Sequence, residues 1–119
     1  MILVNTETIP GCRIVRLCGL AQGNTIRAKD IGRDIGAGLK NLVGGELKSY
    51  TALMVEARNE ATSRMVGQAQ QMGANAVLNV RYTTSQVAGG AAELYAYGTA
   101  VVVEQAHGAP VQPPTGFPG

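Results

Sequence analysis

The longest regular pattern in the sequence is a helical repeat over residues 46–72. Apolar or small side chains recur every three or four positions along it, as they do on the buried face of a helix. They are Leu47, Tyr50, Met54, Ala57, Ala61, Met65, Ala69 and Met72. Gly73 follows, and glycine is common where a helix ends with a positive φ. The predicted helix is roughly 40 Å long. Because that exceeds the length of a small sheet, we expect part of its apolar face to contact another subunit.

A shorter helical repeat comes before this helix. Four apolar residues lie on one face of a helix that begins near Lys29, namely Ile31, Ile35, Leu39 and Leu42. Gly44 and Gly45 then interrupt the pattern, so two separate helical segments are predicted.

Alternating patterns predict two strands after the helices, at residues 75–83 and 93–104. In the first of them we expect one face to hold Ala76, Leu78, Val80 and Tyr82, and the other to hold Val77, Asn79 and Arg81. In the second, one face is lined by small residues such as Ala96 and Ala100, which suits a helix that lies across the sheet.

The N-terminal part of the chain is also typical of strands. Residues 2–4 and 13–20 are rich in apolar, β-forming side chains. Residues 25–27 extend the second of these strands beyond a turn or bulge that we expect at Gly23 and Asn24.

The order of the predicted elements, β-β-α-α-β-β, indicates an α+β domain. We expect a small antiparallel-rich sheet with one long helix and a shorter helical segment on one face. This single domain covers residues 1–105, and residues 106–119 form an irregular tail that contains four of the five prolines. A domain of this size buries a limited fraction of its surface when it folds, and association into an oligomer commonly adds to its stability.

Charge and composition exclude several classes of protein. Ten Lys and Arg residues against eight Asp and Glu give a formal net charge of +2 without a basic tract, so nucleic-acid binding is not expected. No run approaches about 18 apolar residues, and the first residues lack the basic segment of a secretory signal. We therefore expect a cytoplasmic protein with no membrane partner, in which both cysteines are thiols.

The usual catalytic groups are sparse. The only histidine, His107, lies in the tail and cannot hold a fixed position beside a nucleophile. Cys12 and Cys18 are about 20 Å apart if both lie in one extended strand, which is too far for a disulfide. Their spacing also differs from that of the close cysteine pairs in structural zinc sites. Cys18 is better explained as a small core residue, and it is a weak candidate for a metal ligand.

The remaining candidates for chemistry are polar residues within apolar segments. The set that we consider for ligand binding is Arg27, Asp34, Glu46, Tyr50, Arg81, Glu93 and Tyr97. Arg81 interrupts a strand, and a buried charge requires a partner. Two interpretations stay open: salt bridges between subunits that hold an oligomer together, or a pocket for an anion or small acid at a subunit interface.

Several runs of the sequence resemble the YbjQ family. They are residues 19–27 (GLAQGNTIR), Arg33-Asp34-Ile35, Gly44-Gly45-Glu46-Leu47 with Tyr50, residues 73–77 (GANAV), and Glu93 with residues 97–101 (YGTAV). The resemblance covers about residues 1–104. It implies a dodecin-like β-α-β-β subunit core with extra short strands and assembly into pentamers. The family is described as "putative heavy-metal-binding", which implies a soft or heavy metal ion as cofactor, but the domain has neither a CxxC pair nor a histidine.

These observations together favour a non-enzymatic homo-oligomer, by resemblance a pentamer, that binds a small ligand or a heavy metal ion at its subunit interfaces. Two other hypotheses remain. One is an enzyme that uses a pocket of Arg, Asp, Glu and Tyr side chains, and the other is a structural ring without a ligand. The sequence identifies neither the ligand nor any partner other than further copies of the chain.

Overall fold

A computed structural model describes residues 1–27, 44–86 and 92–106. This part of the chain contains four strands and a helix, which are β1 (Ile2–Leu3), β2 (Cys12–Arg27), α1 (Gly44–Gln71), β3 (Ala76–Gln86) and β4 (Ala92–Gln105). The shorter helix expected at residues 29–42 and nearly all of the predicted tail lie outside the described residues.

The strands form one sheet in the order β1-β3-β4-β2. Strand β4 pairs antiparallel with both β2 and β3, while the short β1 pairs parallel with β3. Because the helix lies between the first two strands and the last two along the chain, this is a small mixed α+β fold. The prediction of an antiparallel-rich α+β sheet is therefore confirmed.

Strand β2 runs without interruption through Gly23 and Asn24, so the turn or bulge expected there is wrong. The irregularities lie earlier, where the register with β4 shifts between Ile14 and Arg16 and again between Leu17 and Gly19. Each shift adds one residue to β2 and changes which side chains face the helix.

Helix α1 covers one face of the sheet, and small residues on both surfaces allow it to lie close. A buried row on the helix packs against buried small and apolar residues of the strands. The row consists of Ala57, Ala61, Met65 and Ala69, and the strand residues are Ala21, Val77, Ala96 and Ala100. The predicted helix face is confirmed from Ala57 to Ala69, and so is the predicted small-residue face of β4. The side chains of Leu47 and Tyr50, which belong to the same predicted helix face, are not among those described.

The helix crosses β2 directly above Gly23. A β-carbon at this position would overlap backbone atoms of Ala61 and Met65. The close approach of the helix leaves room only for glycine at this position. Gly23 therefore marks a contact between the helix and an extended strand, and not a turn.

The C-terminus of α1 is closed by the Schellman hydrogen-bond pattern. Gly73 has a φ of 82°, its N–H donates to the Gln70 carbonyl at 3.0 Å, and the Ala74 N–H donates to the Ala69 carbonyl at 3.0 Å. Arg16 of β2 donates to the Gly73 carbonyl at 3.3 Å, which ties the helix end to the sheet. The predicted role of Gly73 is confirmed.

Strand β3 does not keep the alternation expected of it. Asn79 has a φ of 52°, and the register with β4 shifts between Leu78 and Arg81. Val77 and Val80 both pack on the helix side as a result. The prediction that Arg81 shares a face with Val77, and Val80 with Leu78, is therefore wrong, because the bulge reverses the two faces.

The face of the sheet away from α1 is covered at one end only. Four buried residues there form a second core, namely Ala76, Leu78, Val101 and Val103. The N-terminal segment lies against them through Ile2, Val4, Ile9 and Cys12. The opposite end of this face, toward the start of β4, carries polar side chains.

The first part of α1 is mostly exposed, since Thr51–Glu56 have one partly buried side chain among six. Leu53 and Val55 are 36% and 40% exposed although both are large and apolar. Among the helices in the described residues, none is long and apolar enough to cross a membrane.

Candidate functional site

Eight polar or aromatic residues share the uncovered end of the sheet, on the face away from α1. They are Gln22, Asn24, Arg81, Thr83, Ser85, Glu93, Tyr95 and Tyr97, and we call this region the open sheet face. Register brings them together, because cross-strand partners point to the same side of a sheet. Tyr97 lies between Gln22 and Arg81, and Tyr95 lies next to Asn24. Their side chains are exposed or half-buried.

One end of the open sheet face holds a carboxylate in a fixed position. Glu93 accepts a hydrogen bond from Asn24 Nδ2 at 3.1 Å and another from Ser85 Oγ at 3.4 Å. These donors come from the two neighbouring strands, β2 and β3. The carboxylate is thus oriented by the sheet itself and already has two donors.

The middle of the open sheet face is aromatic. The rings of Tyr95 and Tyr97 lie 5.1 Å apart between centroids, with an interplanar angle of 32°. Tyr95 donates its hydroxyl hydrogen to Gln22 Oε1. Two adjacent rings held in this way offer an aromatic surface against which a planar ligand can pack.

The other end carries a positive charge. Arg81 lies directly opposite Tyr97, its side chain is exposed, and it forms no ion pair within the described residues. Glu93 and Tyr97 are four residues apart on β4, which corresponds to about 13 Å along the strand. The guanidinium and the carboxylate therefore occupy separate ends of the face, and the Arg81 end is suited to an anion.

Three of the residues predicted for ligand binding, Arg81, Glu93 and Tyr97, lie together on this face. Arg27 ends β2, and Glu46 and Tyr50 belong to the first turns of α1, but their side chains are not among those that the structure describes. Asp34 lies outside the described residues. The role of these four in a site stays a prediction.

Five residues of the face were missed by sequence reasoning, namely Gln22, Asn24, Thr83, Ser85 and Tyr95. Gln22 and Asn24 alternate with the small residues Ala21 and Gly23, and this alternation was the available signal. Ser85 could not be assigned to this face from the sequence, because the side of the sheet on which it lies depends on the bulge at Asn79.

An exposed row of apolar side chains borders the open sheet face along β2. These residues pair with β4 residues of the same face and are Ile14, Leu17, Leu20 and Ile26. Their exposed fractions are 49%, 70%, 54% and 55%. We call them the apolar row. Ile14, Leu17 and Leu20 follow one another on this face, whereas Gln22 and Asn24 separate Ile26 from them. Neighbouring exposed apolar residues mark a surface that binds another molecule.

Strand β2 is also an edge strand, pairing with β4 alone in the described part of the chain. Two side chains of α1 form hydrogen bonds with backbone groups on its outer edge. Gln68 accepts from the Gln22 N–H at 2.6 Å, and Arg64 donates to the Asn24 carbonyl at 2.6 Å. These contacts protect one section of the edge from pairing with another chain.

Both cysteines are free thiols, as expected. Cys18 packs against the core beneath α1, and Cys12 packs against the core on the opposite face, so the sheet separates them. Within residues 1–27, 44–86 and 92–106, no group of three His, Cys, Asp or Glu side chains is placed to hold a metal ion. The candidate Cys18 therefore belongs to no such group in the described part of one subunit.

Comparison with known proteins places this fold in a family. The YbjQ family, described as "putative heavy-metal-binding", matches residues 1–104. A UPF0145 protein of Hahella chejuensis is 62% identical over 104 residues, covering 87% of this chain and 100% of the relative. A UPF0145 protein of Methanoculleus marisnigri is 57% identical over 101 residues, covering 85% of this chain and 94% of the relative.

A solved structure supports the fold alone. It is a protein of unknown function of the DUF74 family from Pediococcus pentosaceus, 14% identical, with a TM-score of 0.58 over 87% of this chain and 98% of that one. From the match over residues 1–104 and the identity to the UPF0145 relatives, we conclude that the chain belongs to the YbjQ family of UPF0145 proteins.

Proposed function

We propose that this protein is a non-enzymatic homo-oligomer that binds a small organic acid on the open sheet face, at the contact between subunits. The observation that carries the proposal is the apolar row, which lies exposed beside the open sheet face on an edge strand. The free thiols of Cys12 and Cys18 agree with a reducing compartment, and we place the protein in the cytoplasm.

Self-association is supported by two exposed apolar surfaces of the subunit. A long edge strand with apolar side chains tends to pair with another chain unless something covers it. Helix side chains cap β2 at Gln22 and Asn24, whereas Leu17 and Leu20 lie in the preceding section of the strand. The exposed start of α1, with Leu53 and Val55, is a second surface for a neighbouring subunit. Following the resemblance to pentameric, dodecin-like proteins, we set the number of subunits at five.

The choice of a small acid rests on the charge and shape of the open sheet face. Arg81 supplies an exposed guanidinium, which binds carboxylates through two parallel hydrogen bonds. The Tyr95 and Tyr97 rings lie next to it and accept a planar apolar body. The Glu93 carboxylate does not compete strongly with the ligand for Arg81, because it lies at the far end of the face and is held by Asn24 and Ser85.

The assembly is tested by light scattering on the purified chain. We expect a mass of five times the 12.3 kDa of one chain. Leu17→Lys should lower this mass, because a charge replaces a side chain that the proposed contact buries. Thr84→Lys is the matched control, since Thr84 is exposed on the other face of the sheet. A wild-type monomer, or an intact Leu17→Lys oligomer, would refute the proposed contact.

The ligand is tested by thermal unfolding with benzoate as the probe. Binding at ten times its Kd stabilises the folded state by about 1.4 kcal/mol, so benzoate should raise the Tm of wild type. Arg81→Met should abolish the rise without changing the oligomer, whereas Arg58→Met, an exposed Arg on α1, should retain it. An equal rise in Arg81→Met would refute the site. Dissociation of the Arg81→Met oligomer would instead support salt bridges between subunits.

A further inference from the structure

A groove lies on the helix side of the sheet, away from the open sheet face. It is lined by β1 and the segment that follows it, by α1 and by β3. Leu3 and Val80, which also pack against the core beneath α1, form its apolar floor, and its volume is about 580 Å³. This volume lies within the range of pockets that bind small organic molecules. We call it the Tyr82 groove, after the half-exposed tyrosine at its rim.

The hydroxyl groups around the groove have already donated their hydrogens. Thr62 donates to the Arg58 carbonyl at 2.8 Å, and Thr6 donates to the Thr8 carbonyl at 2.6 Å. Tyr82 and Thr62 are also hydrogen-bonded at 2.8 Å. Because a hydroxyl has a single hydrogen and that of Thr62 is used, Tyr82 must be the donor in this pair. All three hydroxyl oxygens can therefore only accept a hydrogen bond from a ligand.

Two carboxamides, those of Asn5 and Asn59, complete the polar lining. Neither has a hydrogen-bond partner within the described residues, so each offers an N–H donor and a carbonyl acceptor side by side. Among these residues, those that line the groove carry no formal charge. The groove thus has no group that would neutralise a phosphate, a carboxylate or an ammonium ion.

From these features we infer that the Tyr82 groove binds a neutral planar nitrogen heterocycle of the nucleobase type. The apolar floor accommodates a flat ring. The Asn carboxamides match the adjacent donor and acceptor of an amide-type ring edge, as they do when they read the edge of a base. The three hydroxyl oxygens accept the remaining ring and amino N–H groups.

The test uses the full chain, labelled with ¹⁵N, and the free bases adenine, hypoxanthine, cytosine and uracil as probes. At least one base should move the side-chain amide signals of Asn5 and Asn59 together and saturably. Asn59→Ala and Tyr82→Phe should each weaken binding by about two- to tenfold, which corresponds to one lost hydrogen bond. Both side chains are exposed, so neither change should disturb the fold.

Gln70→Ala is the matched control for Asn59→Ala, because it removes an exposed carboxamide from α1 that does not line the groove, and its affinity for the base should equal that of wild type. Phenol, which is planar but lacks an amide-type edge, should bind at least tenfold more weakly than the base. The inference is overturned if no base gives a saturable shift, if Gln70→Ala weakens binding as much as Asn59→Ala, or if phenol binds equally well. None of these outcomes depends on the open sheet face or on the oligomer.

Discussion

Asn79 determines which residues of β3 face the helix. Its φ of 52° lies in the left-handed region, which asparagine adopts more readily than any β-branched residue. Its N–H donates to the Thr6 carbonyl at 3.0 Å, and the next residue, Val80, donates to the Val4 carbonyl at 2.9 Å. The N-terminal segment therefore binds to β3 at the bulge, and Arg81 is turned toward the open sheet face.

A substitution at this position should reveal the backbone strain directly. Asn79→Val should lower the free energy of unfolding by about 1–2 kcal/mol, because a β-branched side chain is poorly tolerated at positive φ. Asn79→Gly should stay within about 0.5 kcal/mol of wild type. Urea unfolding at one protein concentration measures both values, with Thr84→Val as a control at an ordinary φ. Equal stability of the Val and Gly variants would contradict the argument.

The bulge also explains which site residues could be predicted from the sequence. Tyr97 and Glu93 lie on a strand that keeps its alternation, so their shared face follows from their even spacing. Arg81 and Ser85 come after Asn79, so the side of the sheet on which they lie depends on the φ of Asn79. Asparagine favours a positive φ but does not require it, so the sequence alone does not predict that side. Local sequence thus predicts β4 correctly and β3 only as far as Leu78.

At the scale of elements, the contact between α1 and β2 depends on small residues at the crossing point. Periodicity predicted the helix well, because the row from Ala57 to Ala69 repeats at every fourth position. It predicted β2 less well, because both faces of that strand carry apolar side chains. The pattern of apolar and polar residues therefore does not predict the shifts in register with β4 near Val15 and Cys18.

Two glycine substitutions separate close packing from helix propensity. Gly23→Ala should destabilise by about 1–3 kcal/mol, because the added methyl group must displace the backbone of α1 rather than a side chain. Gly67→Ala, inside the same helix, has open space around its β-carbon and should stabilise by about 0.5–1 kcal/mol. Chemical denaturation measures both. A neutral Gly23→Ala variant would show that the helix does not lie this close to β2.

At the scale of the whole molecule, the sheet separates surfaces with different chemistry. Its helix side carries one core and the Tyr82 groove, while its other side carries a second core, the open sheet face and the apolar row. Sequence reasoning anticipated an unsatisfied apolar surface but assigned it to the helix alone. The sequence showed that β2 carries apolar residues on both faces, but nothing local distinguishes an edge strand, so the exposed apolar row was not predicted.

The same separation leads to a prediction about metal ions. A soft ion such as Cd²⁺ is held tightly by several thiolates at once, yet Cys12 and Cys18 lie on opposite faces of the sheet. Cd²⁺ should therefore bind weakly to wild type, with the thiolate-to-cadmium absorption band rising gradually rather than to a stoichiometric end point. Cys18→Ser should reduce the band more than Cys12→Ser if copies of Cys18 converge between subunits. Tight stoichiometric binding that survives Cys18→Ser would exclude this cysteine as the necessary ligand and place the site outside the described residues or on other donors.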